Sequence, residues 1–253
     1  MPESTMSYSA EFATLDDPFM AQLAAHLATS ARTEDEVRVA RIAAEAIHAF
    51  RRLADVRRAV AIFGSARTGP AVHWGELATQ TAKLLAAEGF AVITGGGPGL
   101  MEAANAGAHA GSGQSFGLAI HLPELNEPLN PHVLVPVPFH YFFLRKVAFV
   151  KYSCAFVCMP GGYGTLDELF EALNLRRTHR IEPFPVMLLG SSYWSGLREW
   201  LRNAAVPTGA LDRADLEMME ITDDPEAVVA RVRVSHAQLC RNLGITSKIA
   251  DRN

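Results

Sequence analysis

Ala155-Phe156-Val157-Cys158-Met159 is an unbroken apolar run, and Pro160-Gly161-Gly162-Tyr163-Gly164-Thr165-Leu166-Asp167-Glu168 follows it directly. A short continuous apolar run reads as a strand buried on both faces. The glycine turn after it opens a helical segment, so the unit is strand, glycine loop, helix. The same unit occurs twice upstream. Ala59-Val60-Ala61-Ile62-Phe63 runs into Gly64-Ser65-Ala66-Arg67, and Phe90 to Thr94 runs into Gly95-Gly96-Gly97-Pro98-Gly99. Other apolar runs lie at Phe116 to Leu122, Val133 to Val137, Pro185 to Leu189 and Met218 to Ile221, with helical stretches such as Val72 to Glu88 between most of them. Continuous apolar strands alternating with helices predict an α/β fold, a doubly wound, mainly parallel sheet with helices on both faces. Ligands in such sheets bind beyond the carboxyl ends of the strands, so the three glycine loops are expected to open on one edge.

The chain of 253 residues is 49% hydrophobic and 20% charged, enough to bury a full core and too apolar for a disordered class. Its 23 basic and 27 acidic side chains give a net charge of -4, which favours small-molecule partners over nucleic acid. Cys154, Cys158 and Cys240 are too few for a disulfide framework and suit a reducing compartment. The first 30 residues hold four acidic side chains and no Lys or Arg, unlike a signal peptide, and no apolar run has the length of a membrane span. A cytoplasmic protein with no membrane association is expected.

Residues 1–58 are expected to form a tail and a helical extension, 59–245 a single Rossmann-like domain, and 246–253 a C-terminal tail. Residues 1–15 show no periodicity, whereas Asp16 to Ser30 and Thr33 to Arg58 read as amphipathic helices. Thr33 and Glu36 form a capping box at the start of the second. These helices have two uses open to them, covering the sheet or joining protomers.

Glycines let a backbone approach an anion closely, and the N-terminus of the next helix offers unpaired N–H groups and a partial positive charge. Each loop therefore suits a phosphate, although glycine also serves a plain tight turn. The spacing departs from known nucleotide loops. Leu100 stands where G-x-G-x-x-G needs its last glycine, and no Gly-Lys-Ser/Thr of a P-loop occurs. Hydride transfer and ATP hydrolysis by those loops are disfavoured.

Pro160-Gly161-Gly162-Tyr163-Gly164-Thr165-Leu166-Asp167-Glu168 resembles the P-G-G-x-G-T-x-x-E signature of the LOG family, the cytokinin-activating nucleoside-monophosphate phosphoribohydrolases often labelled lysine decarboxylases. Arg145-Lys146 resembles the family's Arg-Lys pair, and Gly95-Gly96-Gly97-Pro98-Gly99-Leu100-Met101-Glu102 resembles its first glycine loop. The resemblance runs from about Val60 to Leu239. Phe142-Phe143-Leu144 stands where short members have M-x-x before the Arg-Lys pair, and the glycine loop is one residue tighter than G-G-G-x-x-G-L-M. Both departures, and the helical preface, are similar to the longer bacterial subgroup. The resemblance implies hydrolysis of the N-glycosidic bond of a purine nucleoside 5'-monophosphate, N6-modified ones included, to free base and ribose 5-phosphate. It implies no cofactor, and a homodimer or larger homo-oligomer.

That reaction passes through an oxocarbenium-like sugar, which calls for negative charge beside the ribose and a positioned water. Glu168, four residues past Gly164 and about one helical turn on, can face the loop's own pocket. A carboxylate in a first helical turn also simply suits the dipole. The resemblance makes Glu168 the catalytic carboxylate and Arg145 the second catalytic residue, orienting Glu168 or helping to protonate the leaving base through a water. The backbone N–H groups of Gly161, Gly162 and Gly164 with the Thr165 hydroxyl are expected to cradle the 5'-phosphate. Lys146 is expected to add charge near it, and Ser65, Gly96 and Gly97 to line the opposite side. Glu102 is a candidate for the ribose hydroxyls, and Arg67 for the phosphate or for solvent. Asp167 and Glu171 read as solvated or helix-stabilising.

A pyridoxal-phosphate decarboxylase needs a Schiff-base lysine, and Lys83, Lys146, Lys151 and Lys248 are the only lysines. None stands in a recognisable cofactor-binding context, so decarboxylation is not expected. The nine histidines include no H-E-x-x-H, and Cys154 and Cys158, four apart on a strand, read as small packing residues on one face. No metal is expected. Tyr141-Phe142-Phe143 has three readings: stacking on a base, core, or oligomer contact. The alternative to an enzyme is a non-catalytic protein that holds a nucleotide or a phosphorylated cofactor in the same cradle.

Overall fold

In the strand β1 (Ala59–Phe63), Ala59, Ala61 and Phe63 face one core and Val60 and Ile62 another, and all five are buried. A strand apolar on both sides belongs in a sheet covered on both faces. The computed structural model describes residues 18–29, 33–67, 72–121 and 128–242. The expected tails at 1–15 and 246–253, together with Leu122 and Lys248, lie outside the described residues.

Helices α1 (Pro18–Ala28) and α2 (Glu34–Arg52) precede β1. The chain continues through α3 (Val72–Ala87), β2 (Ala91–Thr94), α4 (Leu100–Ala110), β3 (Ser115–Ile120), β4 (Val135–Phe139) and α5 (Phe142–Tyr152). It then runs through β5 (Ala155–Cys158), α6 (Tyr163–Arg177), β6 (Val186–Leu189), α7 (Ser191–Trp200), α8 (Arg213–Leu216), β7 (Met219–Thr222) and α9 (Pro225–Asn242). The strands form one sheet in the order β4-β3-β2-β1-β5-β6-β7, every neighbouring pair parallel. This is the doubly wound, Rossmann-like arrangement expected from the apolar runs, each of which has a strand. Side chains of α2, α5, α6 and α7 fill the core on one face, and those of α3, α4 and α9 fill the other. Winding reverses between β1 and β5, which pair from Val60↔Ala155 to Phe63↔Cys158, and a crevice opens beyond the carboxyl ends of strands at such a point.

Three local readings change. The second helix ends at Arg52 and not near Arg58: Leu53 caps it, fully buried, with its N–H on the Ala49 carbonyl at 3.0 Å. The buried leucine turns the chain toward β1. The expected strand Val133 to Val137 is shifted to Val135–Phe139, across Pro136 and Pro138. Prolines punctuate an inner strand, but β4 is an edge strand, and the Pro136 carbonyl faces outward to accept from Arg52 Nη2 at 3.1 Å. Cys154 and Cys158 do not share a face. Cys154 lies just before β5, outside the pleat, and packs against the core opposite to that of Cys158.

The capping box is present, with Thr33 N donating to Glu36 Oε2 at 2.9 Å and Glu36 N to Thr33 Oγ1 at 3.2 Å. Ala49 and Leu53 place α2 against the sheet, so this helix covers a face. No helix among the described residues is long and apolar enough to cross a membrane.

Candidate active site

The loops after β1, β2 and β5 meet at one cleft of about 620 Å³, a size suited to a small-molecule ligand. Ser65, Arg67, Gly95, Arg145, Gly161, Gly162, Gly164, Thr165 and Glu168 are among its lining residues. Backbone hydrogen bonds lock the loops together: Ser65 N donates to the Pro160 carbonyl at 3.1 Å, and Leu100 N to the Ser65 carbonyl at 3.0 Å.

Gly162 caps α6, so the first-turn N–H groups behind it face the cleft end of the helix rather than a preceding carbonyl. A Cβ on Gly162 or Gly164 would meet nothing within 4 Å, whereas one on Gly161 would overlap the Thr165 hydroxyl. The bare Gly161 is what lets Thr165, itself buried, bring its hydroxyl against the loop.

Glu168 is 6% exposed and sits one turn into α6. Burial pushes its carboxyl up from the usual 4.5 to about 7, against the pull of the Arg145 and Lys146 charges. Glu171 and Asp167 push in the same direction as burial. A carboxyl poised near neutrality exchanges protons readily at physiological pH. The guanidinium of Arg145, on α5, packs against Gly95, where a Cβ would come within 2.8 Å of Nη2, and lies 5.4 Å from the Phe149 ring centroid.

Four predicted residues, Lys146, Glu102, Gly96 and Gly97, stand apart from the lining. Lys146 turns to α6, with Nζ 2.8 Å from Asp167 Oδ1 and 3.1 Å from Glu171 Oε2. Burial alone would lower its ammonium, but these bonds hold it above its ordinary value. Asp167 and Glu171 thus have a partner that their spacing did not advertise. Glu102, near the start of α4, is not among the lining residues. Gly96 and Gly97 border a small adjoining recess with Gly95, Met101, Ile120, Leu129 and Arg145. Of the aromatic triplet, Phe142 lines the cleft at 52% exposure, Phe143 is 50% exposed, and Tyr141 packs against the core.

The sequence reading missed what holds these loops. Tyr193 on α7 donates its hydroxyl to the Gly161 carbonyl at 2.6 Å and lines the cleft, and the Trp74 ring meets it edge-on at 5.8 Å. Nothing in a lone tyrosine marks it for this. Under the β2 loop, Thr94, Asn105, Ser115 and Asn130 form a buried network. Thr94 Oγ1 donates to Asn105 Oδ1 at 2.7 Å, Asn105 Nδ2 to Ser115 Oγ at 2.7 Å, and Asn130 Nδ2 reaches the Gly96 and Gly97 carbonyls at 3.1 and 3.0 Å. An asparagine among the alanines and glycine of α4 was the available signal.

Among the described residues, no group of three or more His, Cys, Asp and Glu could hold a metal ion, and no lysine lines the cleft. Lys83 is exposed on α3, Lys151 lies 5.5 Å from the Phe50 ring centroid, and Lys248 is outside the described residues.

A model of the family described as possible lysine decarboxylase matches residues 101–232. Among curated proteins, the cytokinin riboside 5'-monophosphate phosphoribohydrolase of Mycobacterium tuberculosis is 29% identical over 150 residues, 59% of this chain and 80% of that protein. A probable enzyme of the same name from Oryza sativa subsp. japonica is 31% identical over 153 residues, 58% of this chain and 60% of that one. The enzyme so named from Rhodococcoides fascians is 25% identical over 178 residues, 70% and 89% of the two chains. Among solved structures, TM1055 aligns at a TM-score of 0.53 and 22% identity, over 70% of this chain and 98% of that one. The molybdenum cofactor carrier protein of Chlamydomonas reinhardtii aligns at 0.53 and 21%, over 72% and 99%. At these identities the two structures bear on the fold alone.

Proposed function

The chain belongs to the family described as possible lysine decarboxylases, and from that premise we propose that it is a phosphoribohydrolase, cleaving the N-glycosidic bond of a purine nucleoside 5'-monophosphate. The products are free base and ribose 5-phosphate, and N6-modified, cytokinin-type nucleotides fall within the substrate class. The names of the curated relatives support this reading. The observation that carries it is a buried carboxyl, Glu168, raised to about 7 in a cleft that also holds Arg145 and the N-terminus of α6.

In the proposed reaction, the N–H groups around Gly161, Gly162 and Gly164 and the Thr165 hydroxyl hold the 5'-phosphate, aided by the dipole of α6. The bond from C1' to the base nitrogen breaks with its electron pair going to the base, and positive charge develops on the ribose. Ionised Glu168 stabilises that charge and takes a proton from the water whose oxygen bonds to C1'. Arg145 meets the leaving base or a bridging water; that water hands a proton to the base and recovers one from Glu168, the proton taken from the attacking water, so carboxylate and water are both restored. Decarboxylation through a Schiff base has no candidate lysine at the cleft among the described residues.

The half-exposed Phe142 and Phe143, with Val147 and Phe170 at 47% and 40% exposure, support a homodimer, which sedimentation would detect. The free thiols of Cys154, Cys158 and Cys240 support a cytoplasmic setting.

Chromatography of purified protein with AMP, GMP, CMP, UMP and N6-isopentenyl-AMP tests the reaction. Release of base and ribose 5-phosphate is expected, falling about a hundredfold or more in Glu168→Ala. No release from any substrate by folded protein would reject hydrolysis in favour of a binding protein.

A further inference from the structure

Helix α5 carries Arg145, and its cap residue Tyr141 makes no side-chain capping bond of its own. The cap comes from the N-terminal extension. Glu45, on α2, accepts the Tyr141 N–H through Oε1 at 3.2 Å and the His140 N–H through Oε2 at 3.0 Å. The same Oε2 lies 3.2 Å from His140 Nδ1. Glu45 is 1% exposed, and a carboxylate so far from water is tolerable only with such partners. Its charge also faces the positive end of the α5 dipole.

The same helix grips the other end of α5. Tyr152 donates its hydroxyl to the Phe50 carbonyl at 3.2 Å, and the Lys151 ammonium lies over the Phe50 ring at 5.5 Å. Arg145 sits between the two grips, one turn from the cap, its N–H on the Tyr141 carbonyl at 3.2 Å. Residue 45 lies outside the 101–232 segment that the family model matches.

We propose that Glu45 is a positioning residue for the phosphoribohydrolase reaction, holding Arg145 at the cleft through the N-terminus of α5; the inference rests on the function proposed above. The extension is then part of the catalytic apparatus as well as of the core.

Glu45→Gln keeps size and shape but sets an amide donor against backbone N–H groups. In steady-state AMP hydrolysis, E45Q is expected to lower kcat about ten- to a hundredfold with KM changed less than about threefold. Adding E45Q to Arg145→Ala is expected to cost nothing further, because both changes remove the same contribution. Glu45→Asp, which keeps the charge and withdraws it by one methylene, gives a smaller loss with the same dependence on Arg145, and carries the test if E45Q does not fold. An active parent whose variants match it in kcat, or whose losses add to that of Arg145→Ala, overturns the role of Glu45 alone. A folded parent that releases no base overturns both this role and the hydrolase reading.

Discussion

The loops after β2 and β5 are both rich in glycine, yet they are built in opposite ways. In the β2 loop the space around the backbone is taken: a Cβ on Gly95 would strike Arg145 and Met101, and one on Gly96 would strike Leu129. Its carbonyls are held from below by Asn130. In the β5 loop, Gly162 and Gly164 border open space at the mouth of a helix. One glycine string is a packed wall and the other an open edge of the cleft. Composition cannot tell them apart, because glycine serves both close packing and close approach by a ligand.

The comparison breaks most visibly at Asn105. Asn105→Ala leaves Thr94, Ser115 and Asn130 short of partners in a dry environment, and a loss on the order of 3 kcal/mol is expected in urea unfolding. An unchanged midpoint would mean that the β2 loop is not held by this network.

Glu168 gives a second effect of similar or smaller size, opposite in sign. Below 4.5 both folded and unfolded chains hold its proton, so it contributes nothing to the pH dependence. Between 4.5 and about 7 the unfolded carboxyl ionises first, and rising pH favours unfolding. Above about 7 the penalty is complete, at most roughly 3 kcal/mol. Glu168→Gln is therefore expected to melt above the parent at pH 8 and level with it near pH 4.5, while losing activity. Equal melting at both pH values would show that burial does not raise the carboxyl. In the parent, turnover that needs the carboxylate rises with pH through about 7.

The smallest change sharpens the contrast. Gly164 lies in the first turn of α6 with room for a methyl group, so Gly164→Ala is expected to stabilise the fold by up to about 1 kcal/mol. The same methyl enters the proposed phosphate cradle and raises KM. Gain of stability without a change in KM would place the phosphate elsewhere.

The strands were legible because an apolar run buried on both faces has few other readings, and the glycine loops because they follow such runs. The shift of β4 was hidden by Pro136 and Pro138, whose usual meaning is reversed at a sheet edge. Glu168 could be placed by helical spacing, one turn past Gly164. Lys146 could not: adjacency to Arg145 suggested a shared target, but successive helical residues diverge by about 100° and it pairs with α6 instead. Glu45 and Tyr193 were illegible for another reason. Each acts across the fold on a backbone group distant in sequence, and nothing local to a lone polar residue announces that.

The pairing of β1 with β5 also bears on the order in which the molecule can assemble. Phe63 and Cys158, neighbours in the sheet, are joined by a long stretch of chain, and bringing them together carries the entropy of closing that loop. The Ser65 N–H cannot find the Pro160 carbonyl until that has happened. A nascent chain halted after α5 would display Arg145 with no β5 loop opposite it. Competence for the proposed chemistry therefore arrives with the closing of the sheet, and an incompletely folded copy has no means of consuming nucleotide.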